Sequence, residues 1–84
     1  MTDTTRRILI RIKLRDGALP QDSIPRVWGG PGNGETCDAC EESITKSQMG
    51  IEGGSVTLHV WCFHLWDAER RAAEDRQAGA SEQA

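Results

Sequence analysis

Apolar residues are spaced differently in the three stretches of this chain. Between Thr4 and Leu14, Ile8, Ile10, Ile12 and Leu14 alternate with charged residues, a strand-like period broken only by Leu9. A helical reading of the same stretch puts Ile8, Leu9 and Ile12 on one face and Arg7, Arg11 and Arg15 on another. The end of the segment decides for the helix. Lys13 and Arg15 suit the negative end of a helix dipole, Gly17 stands where a left-handed residue closes a helix, and Pro20 follows shortly after. Asp3 or Thr4 is placed to cap the start. Residues 1–19 are therefore expected to form a basic N-terminal helix.

Residues 20–36 carry no period. Pro20, Pro25 and Pro31, with Gly29, Gly30, Gly32 and Gly34, read as a connector, and the run from Gly29 to Gly34 as a flexible linker. That run is not a phosphate-binding loop, because no Gly-Lys-Ser/Thr follows it. Val27-Trp28 is an apolar pair in polar surroundings, and Trp28 is expected to fold down onto the module that follows.

From residue 37 the pattern tightens. Met49 and Ile51 alternate, Gly53-Gly54 marks a hairpin turn, and Val56, Leu58 and Val60 alternate back, which predicts a β-hairpin with a bend at His59. After Cys62 the spacing becomes helical: Trp61 and Leu65, then Cys62 and Trp66, are four apart, and Asp67 and Arg71 can pair at the same interval. Beyond Trp66 the only apolar residues are alanines, so the later turns of this helix should be held by propensity and charge pairing. Gly79 is expected to end the helix. The organised module thus covers 37–78, with a disordered tail at 79–84.

Composition limits what packing can achieve. The chain has 84 residues, one Phe, no Tyr and nine Gly. Ordering costs roughly 1.5 kcal/mol per residue, which a core of this size barely offsets. The three cysteines are an odd number, so a disulfide framework would leave one of them unpaired. The short run Ile8-Leu9-Ile10 is interrupted by Arg11, and no stretch approaches membrane-spanning length; a reducing cytoplasm is the expected compartment. Net charge is −3, unevenly spread: residues 1–34 hold six Arg/Lys against three Asp, and residues 35–84 hold four against ten Asp/Glu.

The chemistry is carried by two pairs, Cys37-Asp38-Ala39-Cys40 and His59-Val60-Trp61-Cys62, with eighteen residues between them. Three thiols and an imidazole are the donors that tetrahedral zinc takes, and four protein ligands close a structural site. The spacing is chemically reasonable, since each pair can present two donors from one tight turn or first helical turn. Cys37, Cys40, His59 and Cys62 are the expected ligands of one zinc ion per chain. His64 is the competing imidazole, but it lies two residues from Cys62, and on a helix those two positions face apart. Metal binding of this kind contributes on the order of 10–16 kcal/mol to folding, so folding should depend on the metal. The expected architecture is a small α+β zinc-stabilised domain: N-terminal helix, Gly/Pro connector, zinc knuckle, β-hairpin, C-terminal helix. A closed site argues against an enzyme, and Glu41 and Glu42 beside Cys40 read as a solvated charge pair.

The spacing Cys37-x2-Cys40-x18-His59-x2-Cys62 resembles the first zinc half of LIM domains, and the order knuckle, hairpin, helix is similar to treble-clef zinc fingers. The resemblance covers roughly residues 36–76. It stops there, because no cysteine follows Cys62 to build the second zinc set of a LIM domain. The wider sequence, with Trp28-Gly29-Gly30-Pro31-Gly32 ahead of the two metal-type pairs and Phe63 after Cys62, looks like a group of short bacterial proteins of no settled function. A protein-binding adaptor or regulator is the expected role. A nucleic-acid-binding regulator using Arg6, Arg7, Arg11, Lys13, Arg15 and Arg26 is the alternative, and a thiol-based zinc or oxidant sensor the third.

Overall fold

The computed structural model describes residues 2–83, and side chains as far as residue 76. It is a small α+β structure of two helices and short antiparallel strands. The first helix, α1, spans Asp3–Asp16. Its cap is Thr2, whose hydroxyl accepts the Thr5 N–H at 3.2 Å, one position ahead of the candidates read from the sequence. The far end closes as expected. Gly17 adopts φ 81° and donates its N–H to Leu14 O, and Leu19 N–H reaches back to Lys13 O at 3.1 Å. Only a residue without a Cβ takes that left-handed conformation at no steric cost.

The buried face of α1 is not the one that the sequence suggested. Ile10 and Leu14 are enclosed, with Leu9 half-buried, whereas Ile8 and Ile12 are about half exposed. Both sets obey the same four-residue spacing, so periodicity could not choose between them. The choice falls to polar partners. With Ile10 inward, Arg11 reaches Glu69 of the second helix with two hydrogen bonds, at 2.8 and 3.1 Å. The guanidinium holds the Glu69 carboxyl below its usual range.

The expected connector contains a strand. Val27–Pro31 forms β1 and pairs antiparallel with β4, Met49–Gly53, in the register Trp28 to Glu52 and Gly30 to Gly50. β4 continues into β5, Val56–His59, through a two-residue turn at Gly54-Ser55, giving a three-stranded sheet in the order β1-β4-β5. Glu35–Thr36 (β2) and Ser43–Ile44 (β3) form a separate two-stranded ladder. The Gly29–Gly34 run is therefore not a free linker over its strand portion. Glycine weakens a strand but does not forbid one when a partner strand supplies the hydrogen bonds.

Trp28 is likewise not folded inward. It stands 64% exposed on the face of β1 that carries Glu52 on the neighbouring strand. Its place in the core is taken by Trp66, whose indole N–H donates to Pro20 O at 2.9 Å. Trp66 packs in a single core with Ile10, Leu14, Leu19, Ile44, Val56, Leu58 and the three cysteines.

The second helix, α2, spans Val60–Gln83, so it starts directly after β5. Its backbone remains helical past Gly79, where the sequence placed its end; Ala84 lies outside the described residues. A lone Gly inside a helix costs about 1 kcal/mol relative to Ala, yet keeps its N–H in the ladder as Pro cannot. Arg70 is held between Asp67 and Glu74, at 2.7 and 3.1 Å, and lies over Trp66. No described helix is long and apolar enough to cross a membrane.

Gly32 is a position where sequence and packing are tightly linked. Its N–H donates to Gln48 O at 2.8 Å, and a Cβ there would collide with the carbonyl oxygens of Ile44 and Thr45. Gly30, two residues earlier, has open space around the same atom. Gly32→Ala should therefore cost about 1–3 kcal/mol, read as a lower denaturation midpoint, by forcing backbone to shift. Gly30→Ala should change stability by no more than about 0.5 kcal/mol.

Candidate metal centre

Two turns bring the donors together. In the first, Cys37 to Glu42 closes on itself: Glu41 N–H donates to Cys37 O, and Cys37 N–H to Glu42 O, both at 2.9 Å. Glu41 takes φ 67°, a left-handed conformation that costs a residue with a Cβ on the order of 1–2 kcal/mol. In the second, β5 ends on His59 and α2 begins at Val60, which puts Cys62 in the first turn of the helix. The turn from strand to helix is the bend that the alternation of Val56 and Leu58 required.

Asp38 locks the two turns to each other. Its backbone N–H donates to Thr57 O at 2.8 Å, and its carboxylate accepts the Thr57 N–H at 2.8 Å. An Asp next to the first cysteine thus serves as a side-chain extension of the sheet. Nothing in its sequence position marked it for that role.

The four expected residues converge. Cys37, Cys40, His59 and Cys62 are all buried, and their donor atoms lie within 4.8 Å of one another, with no disulfide among them. His59 Nδ1 is 3.4 Å from Cys40 Sγ and 3.9 Å from Cys62 Sγ, and the His59 backbone N–H approaches Cys37 Sγ at 3.4 Å. A tetrahedral ion with bonds of about 2.3 Å to sulfur and 2.0–2.1 Å to nitrogen separates its ligands by about 3.6–3.8 Å. The cluster fits such an ion. His64 is exposed on α2 and outside the cluster.

The surroundings of His59 select the ring nitrogen that faces the thiols. Nε2 lies 3.1 Å from Ser43 O and 3.1 Å from Gln48 Oε1. A backbone carbonyl can only accept, and Gln48 Oε1 already accepts the Thr45 N–H at 2.9 Å, so both neighbours call for a proton on Nε2. Nδ1 is then left with its lone pair directed at the sulfur cluster. This is the usual way in which a metal-ligating histidine is oriented by its second nitrogen. Sequence reasoning missed both partners: one is a backbone atom, and the other is an unremarkable Gln before a strand.

α1 also closes over this centre. Lys13 Nζ donates to Asp38 O at 2.8 Å and Ala39 O at 3.1 Å, the two carbonyls between the paired cysteines. Trp61 stacks on His59 at 4.4 Å and 15°, and the Arg6 guanidinium lies over the Trp61 ring at 5.7 Å. Imidazole, indole and guanidinium thus form one column from the cluster to the basic helix.

The thiols differ in proton affinity. Cys37 is drawn well below a free thiol by a hydrogen bond from Cys62, with further help from backbone N–H groups and against the cost of burial. Cys62 is pushed up by the same bond and by burial, and Cys40 chiefly by burial. In the folded cluster without a cation, these shifts favour the thiolate at Cys37 and the protonated form at Cys40 and Cys62. Three thiols in this space cannot all ionise until a dication compensates them.

These features define a small α+β domain with a buried Cys3His cluster able to hold one metal ion. No family model matches the sequence, and neither a curated protein nor a solved structure was found to match it.

Cys37→Ser and Cys62→Ser should abolish metal retention and give unfolded chain, with His59→Ala close behind, while His64→Ala keeps metal and fold; metal analysis with circular dichroism reads both. Loss of metal in His64→Ala alone would overturn the ligand set. Because the metal-free chain is unfolded, all three thiols carry their protons near neutrality, and binding coupled to folding should release three of them. Affinity should therefore fall at least about a thousandfold per pH unit on acidification from pH 7 to 6, measured by calorimetry in buffers of different ionisation enthalpy. Glu41→Gly should raise metal-loaded stability by about 1 kcal/mol, by relieving the left-handed residue.

Proposed function

We propose that the chain is a treble-clef-like module folded on one structural zinc ion, which binds another protein as a small adaptor or regulator. The observation that carries this reading is the donor set. Four buried donors within 4.8 Å of one another are as many as a tetrahedral ion takes, which would leave no coordination position for a substrate or an activated water. Thiolate and imidazole together favour zinc over the harder cations that prefer oxygen. The metal then acts as a cross-link between the Cys37–Cys40 turn and the β5–α2 corner, and the product of that cross-link is a rigid surface. On this reading the chain is not an enzyme, and its thiols are structural.

The nucleic-acid alternative loses ground to the way in which α1 is used. Arg11 is paired to Glu69, Lys13 is directed at the Asp38 and Ala39 carbonyls, and Arg6 lies between Asp3 and Trp61. Arg6, Arg11 and Lys13, half of the six basic residues between positions 1 and 34, are committed to holding the fold. Binding phosphates with them would require breaking those contacts.

The test pairs two measurements on zinc-loaded protein. Immobilised chain should retain a protein partner from native extract after nuclease treatment, and chelator should release it. Duplex DNA and RNA should show no retardation even at about 50 mM salt, where phosphate contacts are strongest. Retardation that weakens steeply as salt is raised would replace the adaptor reading with the nucleic-acid one.

A further inference from the structure

The Trp28 end of the three-stranded sheet carries a second feature, on the face that bears His59 at its far end but with a different chemistry. Trp28 and Glu52 are cross-strand neighbours, and Thr57 is the next residue in that row. The adjoining row is Gly30, Gly50 and His59; Ile44 covers Gly50, so this row is open at its Gly30 end. Together with Glu35 of β2, these residues line an open groove of about 240 Å³. Its wall is an indole that is 64% exposed, and its floor is glycine backbone. At Gly30 a Cβ would meet nothing within 4 Å, so the space is left unfilled by the chain itself. Both titratable residues that line it are carboxylates, and no basic residue does.

An aromatic face beside carboxylates is the chemistry that receives a guanidinium or ammonium group: the ring quadrupole attracts the cation and the carboxylates neutralise it. The backbone adds direction. β1 pairs only with β4 among the described strands, so its other edge offers unpaired N–H and C=O groups to an extended segment. We propose that the groove is the docking site for an extended basic segment of a partner protein, which adds to the β1 edge and lays an Arg or Lys side chain against Trp28 between Glu35 and Glu52. The proposal rests on the adaptor reading and names the partner's chemistry. Side chains of an added strand alternate between faces, so basic residues at every second position would all meet the Trp28 side. Charge complementarity favours this occupant, since the two charged residues that line the groove, Glu35 and Glu52, are both acidic.

The test uses the metal-loaded full chain, labelled with nitrogen-15, and an acetylated Arg-Thr-Arg-Thr-Arg amide as probe. The same peptide with citrulline in place of arginine keeps the shape and removes the charge. Saturable shifts are expected on the Trp28 indole N–H and on the Gly30 and Gly50 amides, with the citrulline peptide at least about threefold weaker. Trp28→Ala should weaken binding about three- to fivefold, the loss of one exposed cation–ring contact. Glu35→Gln with Glu52→Gln should weaken it further, and Gly30→Val should block the floor. Metal content and unfolding temperature, measured on each variant, show that the fold is kept.

Equal binding of the citrulline peptide would overturn the proposal, as would the absence of any shift. Shifts centred on the acidic residues of α2 would overturn the groove while leaving the adaptor reading standing. Broadening of β1 amides that grows with protein concentration alone would overturn it in favour of a second copy of this chain at the same edge. Failure of the adaptor reading itself is seen separately, in the partner-capture and retardation measurements above.

Discussion

The rest of the structure depends on holding three sulfur atoms and one imidazole nitrogen within 4.8 Å of one another in a chain with little else to bury. Brought together without a cation, these groups disfavour their own convergence: only Cys37 gains as a thiolate, while Cys40 and Cys62 are driven toward the protonated form. A divalent ion reverses the sign of that interaction. The same four groups then tie the Cys37–Cys40 turn to the corner where β5 becomes α2, beside the Asp38–Thr57 hydrogen bonds that already join them.

Around that constraint the fold is arranged in shells of decreasing apolarity. Ile44, Leu58 and Trp66 fill the space next to the cysteines. The polar layer over them is unusually directed. Ser43 and Gln48 fix the proton on His59 Nε2, Asp38 ties the first turn to Thr57, and Lys13 satisfies the carbonyls between the two cysteines. Each of these contacts joins segments far apart in sequence, so each has value only once the donors have converged. The N-terminal helix is thereby part of the centre. It is not an independent basic arm, and three of its cations are occupied by structure.

The sheet shows a different logic. The hairpin β4–β5 is local and was readable from the alternation of Met49, Ile51, Val56 and Leu58. The third strand was not, because Val27-Trp28-Gly29-Gly30-Pro31 has the composition of a loop and becomes a strand only when β4 offers it a ladder. That pairing also reverses the role of Trp28. In a connector it would have been free to turn inward, but in strand register with Glu52 it must stand on the outer face.

By itself, the sequence determined the four donors and their spacing, the left-handed end of α1 at Gly17, the hairpin, and the need for a bend at His59. All of these are local: they follow from side-chain chemistry, from a residue's own φ, or from a period read over a few positions. Only the tertiary structure decided which stripe of α1 is buried, that Val27–Pro31 is a strand, that Trp28 is exposed, and which nitrogen of His59 faces the sulfur atoms. Those outcomes rest on partners between about ten and sixty residues away: Glu69 for Arg11, Glu52 for Trp28, and Ser43 and Gln48 for His59. A helix period leaves two faces equally apolar, and a glycine-rich run leaves several conformations of similar energy. In both cases the choice is made by contacts that exist only after the chain has closed on its metal-type cluster.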